Sequence, residues 1–165
     1  MVQFVDYQYW LGYGFFFSAL MVTVRTDLEQ MLISRYATFI IMPIGWILSA
    51  IDWLPLSMYD SILGSIIGYA ILYIIAKSFI WFTGKEGMGQ GDLELLAFIG
   101  AFIGPAGCGM TLFIASTVGA LFGIFYIAIF KQNRTAVIAF GPFLALGAII
   151  YSLFQNELYL FISGQ

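Results

Sequence analysis

The sequence predicts an all-α membrane protein of about six transmembrane helices, forming a single domain over residues 1–165. Three observations lead to this prediction. Of the 165 residues, 62% are hydrophobic and only 9% are charged, and the mean hydropathy is +0.97. A soluble domain of this size could not cover its surface with so few charges. The apolar residues also fall into six runs, and the basic residues lie in or beside alternate connections between those runs.

The first two apolar runs are about Tyr7–Val24 and Tyr36–Ile51. Two glycines interrupt the first run. The second run is short for a bilayer, and Pro43 predicts a kink in it. The connection between them begins with a charged cluster, Arg25–Gln30. No Lys or Arg precedes this cluster, so we expect no basic start of a cleaved signal peptide.

The third run, about Ser61–Phe82, is long enough to cross a bilayer, with Lys77 snorkelling near its end. It leads into a glycine-rich, charged segment, Gly84-Lys85-Glu86-Gly87-Met88-Gly89-Gln90-Gly91-Asp92. Asp92 stands directly before the next apolar run, where aspartate is a good N-cap residue. A polar loop with a capping aspartate would explain an isolated Gly-x-Gly-Asp without any catalytic role.

The fourth run extends only from Leu93 to Gly104, where Pro105 follows. Twelve helical residues span about 18 Å, against about 30 Å of hydrocarbon in a bilayer. Either the helix continues past Pro105, or Asp92 lies below the membrane surface. The fifth and sixth runs, about Met110–Phe130 and Val137–Phe154, complete the set.

The distribution of basic residues independently supports six spans. All six Lys and Arg residues lie in or next to the first, third and fifth connections: Arg25, Arg35, Lys77, Lys85, Lys131 and Arg134. The positive-inside rule makes that side cytoplasmic and places both termini outside. Asp27 and Asp92 then lie together on the cytoplasmic side. Three small-xxx-small pairs, predicted to bring helices close together, are Gly64/Gly68, Gly100/Gly104 and Gly119/Gly123.

The residue inventory narrows the chemistry available to such a protein. There is no histidine and only one cysteine, Cys108, so an intrachain disulfide and a Cys-x-x-Cys site are excluded. No set of residues has metal-ligand spacing, and we expect neither a metal nor a cofactor. Two aspartates that share a proton can hydrolyse a peptide bond, one as base on water and the other as acid. This is the hydrolytic mechanism that the sequence can supply.

The string G-K-E-G-M-G-x-G-D resembles the signature of the type IV prepilin peptidases, membrane aspartyl proteases of the GxGD kind. A second matching segment, Ala139–Ala145, is similar to the opening of a late helix in that family. The resemblance implies that Asp27 and Asp92 are the catalytic pair. Two positions depart from the family pattern: Ser34-Arg35 replaces the usual Pro-Asp, and Glu94 stands where a lysine is frequent.

The resemblance also implies a function. We expect an inner-membrane endopeptidase that cleaves the leader from type IV prepilins or type II secretion pseudopilins. Its expected partners are these substrates and membrane lipid, and no nucleic acid. The predicted substrate-binding residues are Lys85, Glu86, Gly87, Gly89 and Gly91. The cysteine-bearing loop that accompanies methyltransferase activity in many members is absent, so a peptidase-only form is expected.

Two functions from other classes remain open at the level of sequence. The departures at Ser34-Arg35 and Glu94 suit an inactive relative that binds pilins as an assembly scaffold. An intramembrane carboxyl also suits a small transporter. A transporter would not need Asp27 near Asp92, whereas a peptidase needs both.

Overall fold

A computed structural model describes residues 7–30, 35–85, 89–130 and 139–163. Within these ranges every regular element is a helix, which confirms the all-α prediction. The five helices are α1 (Tyr7–Gln30), α2 (Arg35–Ala50), α3 (Met58–Thr83), α4 (Gln90–Phe130) and α5 (Gly141–Ser163).

Helix α1 continues six residues beyond the end of the first apolar run. The charged cluster Arg25–Gln30 therefore forms the last turns of a helix instead of a loop. Arg35, which the sequence placed in the same connection, is the first residue of α2. The longer α1 is reasonable because Leu, Glu and Gln are good helix formers and need no apolar surroundings.

Helix α3 has a sequence-encoded start and stop. At its start, the Ser57 hydroxyl oxygen accepts the backbone N–H of Asp60 at 3.1 Å, as an N-cap does. At its end, Gly84 adopts a left-handed conformation with φ 68° and donates its N–H to the Ile80 carbonyl at 2.7 Å. Glycine adopts this conformation without a steric penalty, and it is the usual residue there.

Helix α4 folds back on itself at Gly104. This residue has φ 73° and ψ −177°, and Pro105 follows it. The Cys108 thiol lies 3.8 Å from the Leu96 carbonyl oxygen, whereas twelve residues of straight helix would separate them by about 18 Å. We therefore divide α4 into a first arm, residues 90–103, and a second arm, residues 105–130. The fourth and fifth apolar runs correspond to these two antiparallel arms.

The first arm is the central element of the bundle, since every residue from 92 to 104 is buried. On one side, the ring of Phe16 from α1 stacks on Phe102 with centroids 5.0 Å apart, and it also meets Phe98 at 5.7 Å. On another side, Gly45 of α2 lies against Ala101. Neighbouring helices therefore surround the first arm, including its two carboxyl residues, Asp92 and Glu94.

Glycines let α3 approach the first arm closely. Gly64 of α3 lies against the backbone of Gly100, and a Cβ added at Gly68 would lie 2.5 Å from the Leu96 carbonyl oxygen. The predicted packing role of these glycines is confirmed. The prediction of close helix packing is wrong for Gly119, because a Cβ added there would make only ordinary contacts, of 3.6 Å or more.

Helix α5 covers the second arm and also reaches α1. The backbone of Thr111 in the second arm packs against Gly147 of α5. At the far end of α5, the Gln155 amide nitrogen donates to the Tyr13 hydroxyl at 3.1 Å, which ties α5 to α1. These contacts close the bundle around the first arm.

Two of the described helices are long and apolar enough to cross a membrane. They are Met58–Thr83, with mean hydropathy 1.8, and Gln90–Tyr126, with mean hydropathy 1.9. The second includes the fold-back at Gly104. Two shorter apolar helices are Ile41–Ala50 and Gly141–Gln155. This composition fits an all-α membrane protein.

Candidate active site

Asp92 lies at the buried start of the first arm. The helix begins at Gln90, so Asp92 occupies its third position and is not the N-cap that the sequence predicts. Its N–H donates to the Gly89 carbonyl at 3.2 Å. A Cβ added at Gly89 would lie 3.6 Å from Asp92 Oδ2, so the carboxylate bends back toward the residue that precedes the helix. Asp92 is only 8% exposed.

Along the bundle axis, Asp92 also lies deeper inside the bundle than the end of the neighbouring helix α3. The contacts of Gly64 with Gly100 and of Gly68 with Leu96 define an antiparallel register. Continuing that register by one turn places Asp92 level with Leu72. Helix α3 runs eleven residues further to Thr83, which is about 16 Å. The start of α4 therefore lies well inside the bundle.

Asp27 belongs to the last turn of α1, and its side chain lies outside the described part of the structure. The opposite end of α1 is fixed by Gly12, which lies against the Trp53 carbonyl in the α2–α3 turn. Gly104, at the end of the first arm, faces Leu56 of the same turn. Helix α1 and the first arm are thus antiparallel, and Asp27 and Asp92 belong to the same end of the bundle.

The axial levels of the two aspartates follow from the contacts of Phe16 with the first arm. Its ring lies between Phe98 and Phe102, so it is roughly level with residue 100. Asp27 is about 16 Å further along α1, and Asp92 is about 12 Å back along the first arm. The two backbones therefore differ in level by about one helical turn.

The predicted substrate-binding residues are only partly described. Gly89 is exposed and Gly91 half-buried, directly before Asp92. Lys85 is exposed just past the end of α3, so its backbone is far from Asp92 along the bundle axis. Glu86 and Gly87 lie outside the described residues, as does the side chain of Glu29, the alternative carboxylate next to Asp27.

Glu94 is a buried carboxyl whose position sequence reasoning did not anticipate. It is only 3% exposed, two residues after Asp92. On a helical wheel it falls between Phe98, which contacts α1, and Ala101, which contacts α2. Its side of the first arm therefore faces α1 and α2. A charged residue within the run Leu93–Ile99 was the available signal, because burying a carboxylate in apolar surroundings is costly.

The described residues contain no group of three His, Cys, Asp or Glu side chains that could hold a metal ion. Asp92 lies in the first turn of α4. The partial positive charge at a helix N-terminus favours a negative charge on a side chain at that position.

Comparison with known proteins identifies the family. A model of the type IV leader peptidase family matches residues 14–124, well over half of the chain. The chain belongs to the type IV leader peptidase family. The matched segment of this chain includes Asp27, Asp92 and the whole first arm.

Several curated relatives of this chain carry the same name, prepilin leader peptidase/N-methyltransferase. The protein of Aeromonas salmonicida (strain A449) is 35% identical over 133 residues, which is 80% of this chain and 45% of the relative. That of Pseudomonas putida is 37% identical over 107 residues, 65% of this chain and 36% of the relative. That of Xanthomonas campestris pv. campestris is 33% identical over 151 residues, 90% and 52% of the two chains. The chain spans about half the length of these relatives, and no solved structure matches it.

The segment Ala139–Ala145 of this chain lies beyond the family match. Its Phe140 carbonyl accepts the N–H groups of Phe143 and Leu144, at 3.0 and 3.2 Å. These bonds form the first turn of α5. The segment is therefore the start of a helix, as its family resemblance predicts.

Proposed function

We propose that this chain is a membrane aspartic endopeptidase that removes the leader from type IV prepilins or pseudopilins. The observation that carries the proposal is the position of Asp92. Its carboxyl is buried at the start of an interior helix, about 16 Å below the end of α3, at the same end of the bundle as Asp27. Membership of the type IV leader peptidase family supports the same reaction.

Asp27 and Asp92 are the proposed catalytic pair. Their backbones belong to α1 and to the first arm, which are antiparallel and meet where Phe16 contacts Phe98 and Phe102. The two backbones differ in level along the bundle axis by about one helical turn. Aspartate side chains directed toward each other can bridge such a separation through a shared water. In this proposal Glu29, the alternative carboxylate near Asp27 in the sequence, takes no part in the reaction.

The two helix ends suggest which aspartate has which role. Asp92 lies in the first turn of α4, where the helix dipole favours a negative charge, and Asp27 lies in the last turn of α1, where it favours a neutral group. Asp92 then removes a proton from water, whose oxygen attacks the scissile carbonyl carbon. Asp27 donates its proton to the carbonyl oxygen, and a tetrahedral intermediate forms.

Collapse of the intermediate completes the reaction. The proton that Asp92 has gained passes to the leaving nitrogen, and Asp27 recovers a proton from the hydroxyl group as the new carboxyl forms. The C–N bond breaks, and the pair returns to its starting protonation state. No cofactor is consumed in this cycle.

The substrate is proposed to enter beside the free end of α3. Helix α3 is exposed at most positions from Tyr73 to Lys85, so the bundle is open above the level of Asp92. An apolar substrate helix can lie in the bilayer while its leader stays in the cytoplasm. The glycine-rich segment containing Lys85, Glu86, Gly87, Gly89 and Gly91 connects α3 to Asp92, and we propose that it contacts the leader and moves to admit it.

The proposed topology has six membrane segments in the inner membrane. They are α1, α2, α3, the two arms of α4, and α5. The first arm is too short to cross a bilayer alone, so it ends within the membrane depth at its Asp92 end. The described basic residues Arg25, Lys77 and Lys85 lie toward this end of the bundle, which makes it cytoplasmic and leaves both termini outside.

We propose that the chain cleaves without methylating. Only residues 31–34 separate α1 from α2, and Cys108 is the one cysteine in the sequence. The chain therefore carries no cysteine-bearing loop between these helices. The methyltransferase named for its relatives is not assigned to this chain.

A direct test uses the purified protein in detergent or vesicles with synthetic prepilins that include the leader and the first apolar turns. Mass spectrometry locates the cut. Cleavage at one bond, at the junction of leader and apolar helix, is expected. A pilin that binds but stays intact would contradict the proposal and favour the scaffold function.

A further inference from the structure

The outer face of α3 carries a ladder of polar and aromatic side chains spaced four residues apart. Its members are Tyr69, Tyr73, Lys77 and Trp81, all exposed. The rings of Tyr69 and Tyr73 stack with centroids 6.1 Å apart and an interplanar angle of 17°. The Lys77 ammonium lies 5.7 Å from the centroid of the Tyr73 ring. We call this set the α3 ladder.

Lys77 is the only charged residue of α3 after Asp60. Most other exposed positions around it on the same helix are apolar, including Ile74, Ile75 and Phe79. Among the residues the structure describes, Lys77 contacts the Tyr73 ring and no carboxylate. A cation on a lipid-facing helix is costly unless it reaches an anion or the membrane interface.

The depth of Lys77 fits the phosphate level of a bilayer. It lies six residues, about 9 Å, before the end of α3 at Thr83. The ammonium lies over the ring of Tyr73, one turn further from Thr83, and the flexible lysine stem lets it meet a phosphate from this level. Trp81 lies one turn nearer that end and is 81% exposed, as expected for an aromatic residue at the interface.

We propose that the α3 ladder binds the phosphate of an anionic phospholipid, with Lys77 as the charged ligand. The Tyr73 ring holds the ammonium from below through a cation–π contact. Trp81 lies one turn nearer the end of α3 than Lys77, on the headgroup side of that phosphate. An anionic lipid fits because the leaflet surrounding the helix supplies phosphate at the required depth, whereas no anion of the described chain faces Lys77. Charge complementarity favours an anionic lipid among phospholipids, because its phosphate charge is not offset by a cation in its own headgroup, as it is in phosphatidylcholine.

The lipid would also fix the depth of α3 in the bilayer. Since Gly68 of α3 packs against the first arm, the depth of α3 sets the depth of Asp92. This consequence rests on the proposed function, but lipid binding itself does not.

The test measures lipid retention, independently of catalysis. The purified protein in neutral detergent is titrated with phosphatidylglycerol or with phosphatidylcholine of the same acyl chains, and bound lipid is counted by native mass spectrometry. The wild type is expected to retain phosphatidylglycerol preferentially. Lys77→Gln should weaken that binding about fivefold, and Lys77→Arg should restore most of it.

Matched controls separate the site from general charge. Arg25→Gln removes one exposed cation from the same end of the bundle and should leave retention unchanged. Tyr73→Leu keeps the Lys77 charge but removes the ring, and should weaken binding by less than Lys77→Gln. It also provides a second readout if Lys77→Gln does not fold. Equal retention of the two lipids by the wild type would overturn the proposal. So would Lys77→Gln protein that binds phosphatidylglycerol like the wild type while processing prepilin more slowly, because that result would assign Lys77 to a protein partner.

Discussion

Replacing Gly68 with alanine is expected to displace Asp92 from a distance. A Cβ at this position would lie 2.5 Å from the Leu96 carbonyl oxygen and 3.0 Å from the Cys108 sulfur. Both neighbours belong to α4, and the oxygen is a backbone atom that no rotamer change can move. Relief requires α3 and the first arm to separate by about 0.9 Å before the Cβ–oxygen distance reaches an ordinary 3.4 Å.

The expected effect combines a moderate loss of stability with a large loss of activity. Overpacking of this size costs about 1–3 kcal/mol. Because the first arm carries Asp92 one turn from Leu96, the carboxyl moves with it. A misplacement of about 1 Å lowers catalytic rates by about 100-fold. We therefore expect kcat/KM for prepilin cleavage to fall by about two orders of magnitude while the protein remains helical.

Gly109→Ala is the matched control, since it lies in the second arm of the same helix and a Cβ there meets no atom within 4 Å. The assay compares cleavage rates of both variants at equal amounts of folded protein, with helicity checked by circular dichroism. Gly109→Ala should cleave at the wild-type rate and be slightly more stable, because alanine favours a helix. Gly68→Ala protein with wild-type stability and wild-type kcat/KM would refute the packing argument.

Three further outcomes are expected. In intact cells, Asp52→Cys should react with an impermeant thiol reagent, whereas Gln90→Cys should react only after the membrane is opened. Native Cys108 is buried and should not react with the reagent. External labelling of Gln90→Cys would overturn the proposed topology. The plot of cleavage rate against pH should be bell-shaped, with two apparent pKa values that belong to the aspartate pair. A rate that changes with pH in only one direction would argue against a two-carboxyl mechanism. The purified chain should transfer no methyl group from S-adenosylmethionine to a cleaved pilin, and detection of a methylated product would contradict the assignment of cleavage alone.

The helices were largely predictable because apolar runs, caps and breakers are local signals. Ser57 and Gly84 bound α3 in the way that their side-chain chemistry predicts. The break at Gly104-Pro105 was visible too, but run length alone left two alternatives for Asp92. A contact between distant residues, Cys108 with Leu96, shows that the helix folds back at the break, and no local pattern contains that information.

The errors have similar physical causes. The spacing of Gly119 and Gly123 is the same as that of Gly64 and Gly68, but spacing does not reveal which side of a helix meets a neighbour. The charges after Val24 suggested a loop, although a solvated helix end tolerates them. For Glu94, the average hydropathy of the surrounding run conceals one buried carboxyl. The family resemblance supplied the choice of Asp27 and Asp92, which residue counts alone would not have made.

The most direct measurement of the central claim is cleavage of a prepilin by the Asp27→Asn and Asp92→Asn variants. Each variant should lose cleavage by at least about 10²–10⁴-fold, because an amide can neither accept the proton of water nor complete the acid–base exchange. The double variant should be little slower than either single variant, since the pair acts as one unit. Asp60→Asn, at the opposite end of the bundle, should cleave normally. Folded Asp27→Asn protein that processes the prepilin at a near wild-type rate would contradict the account.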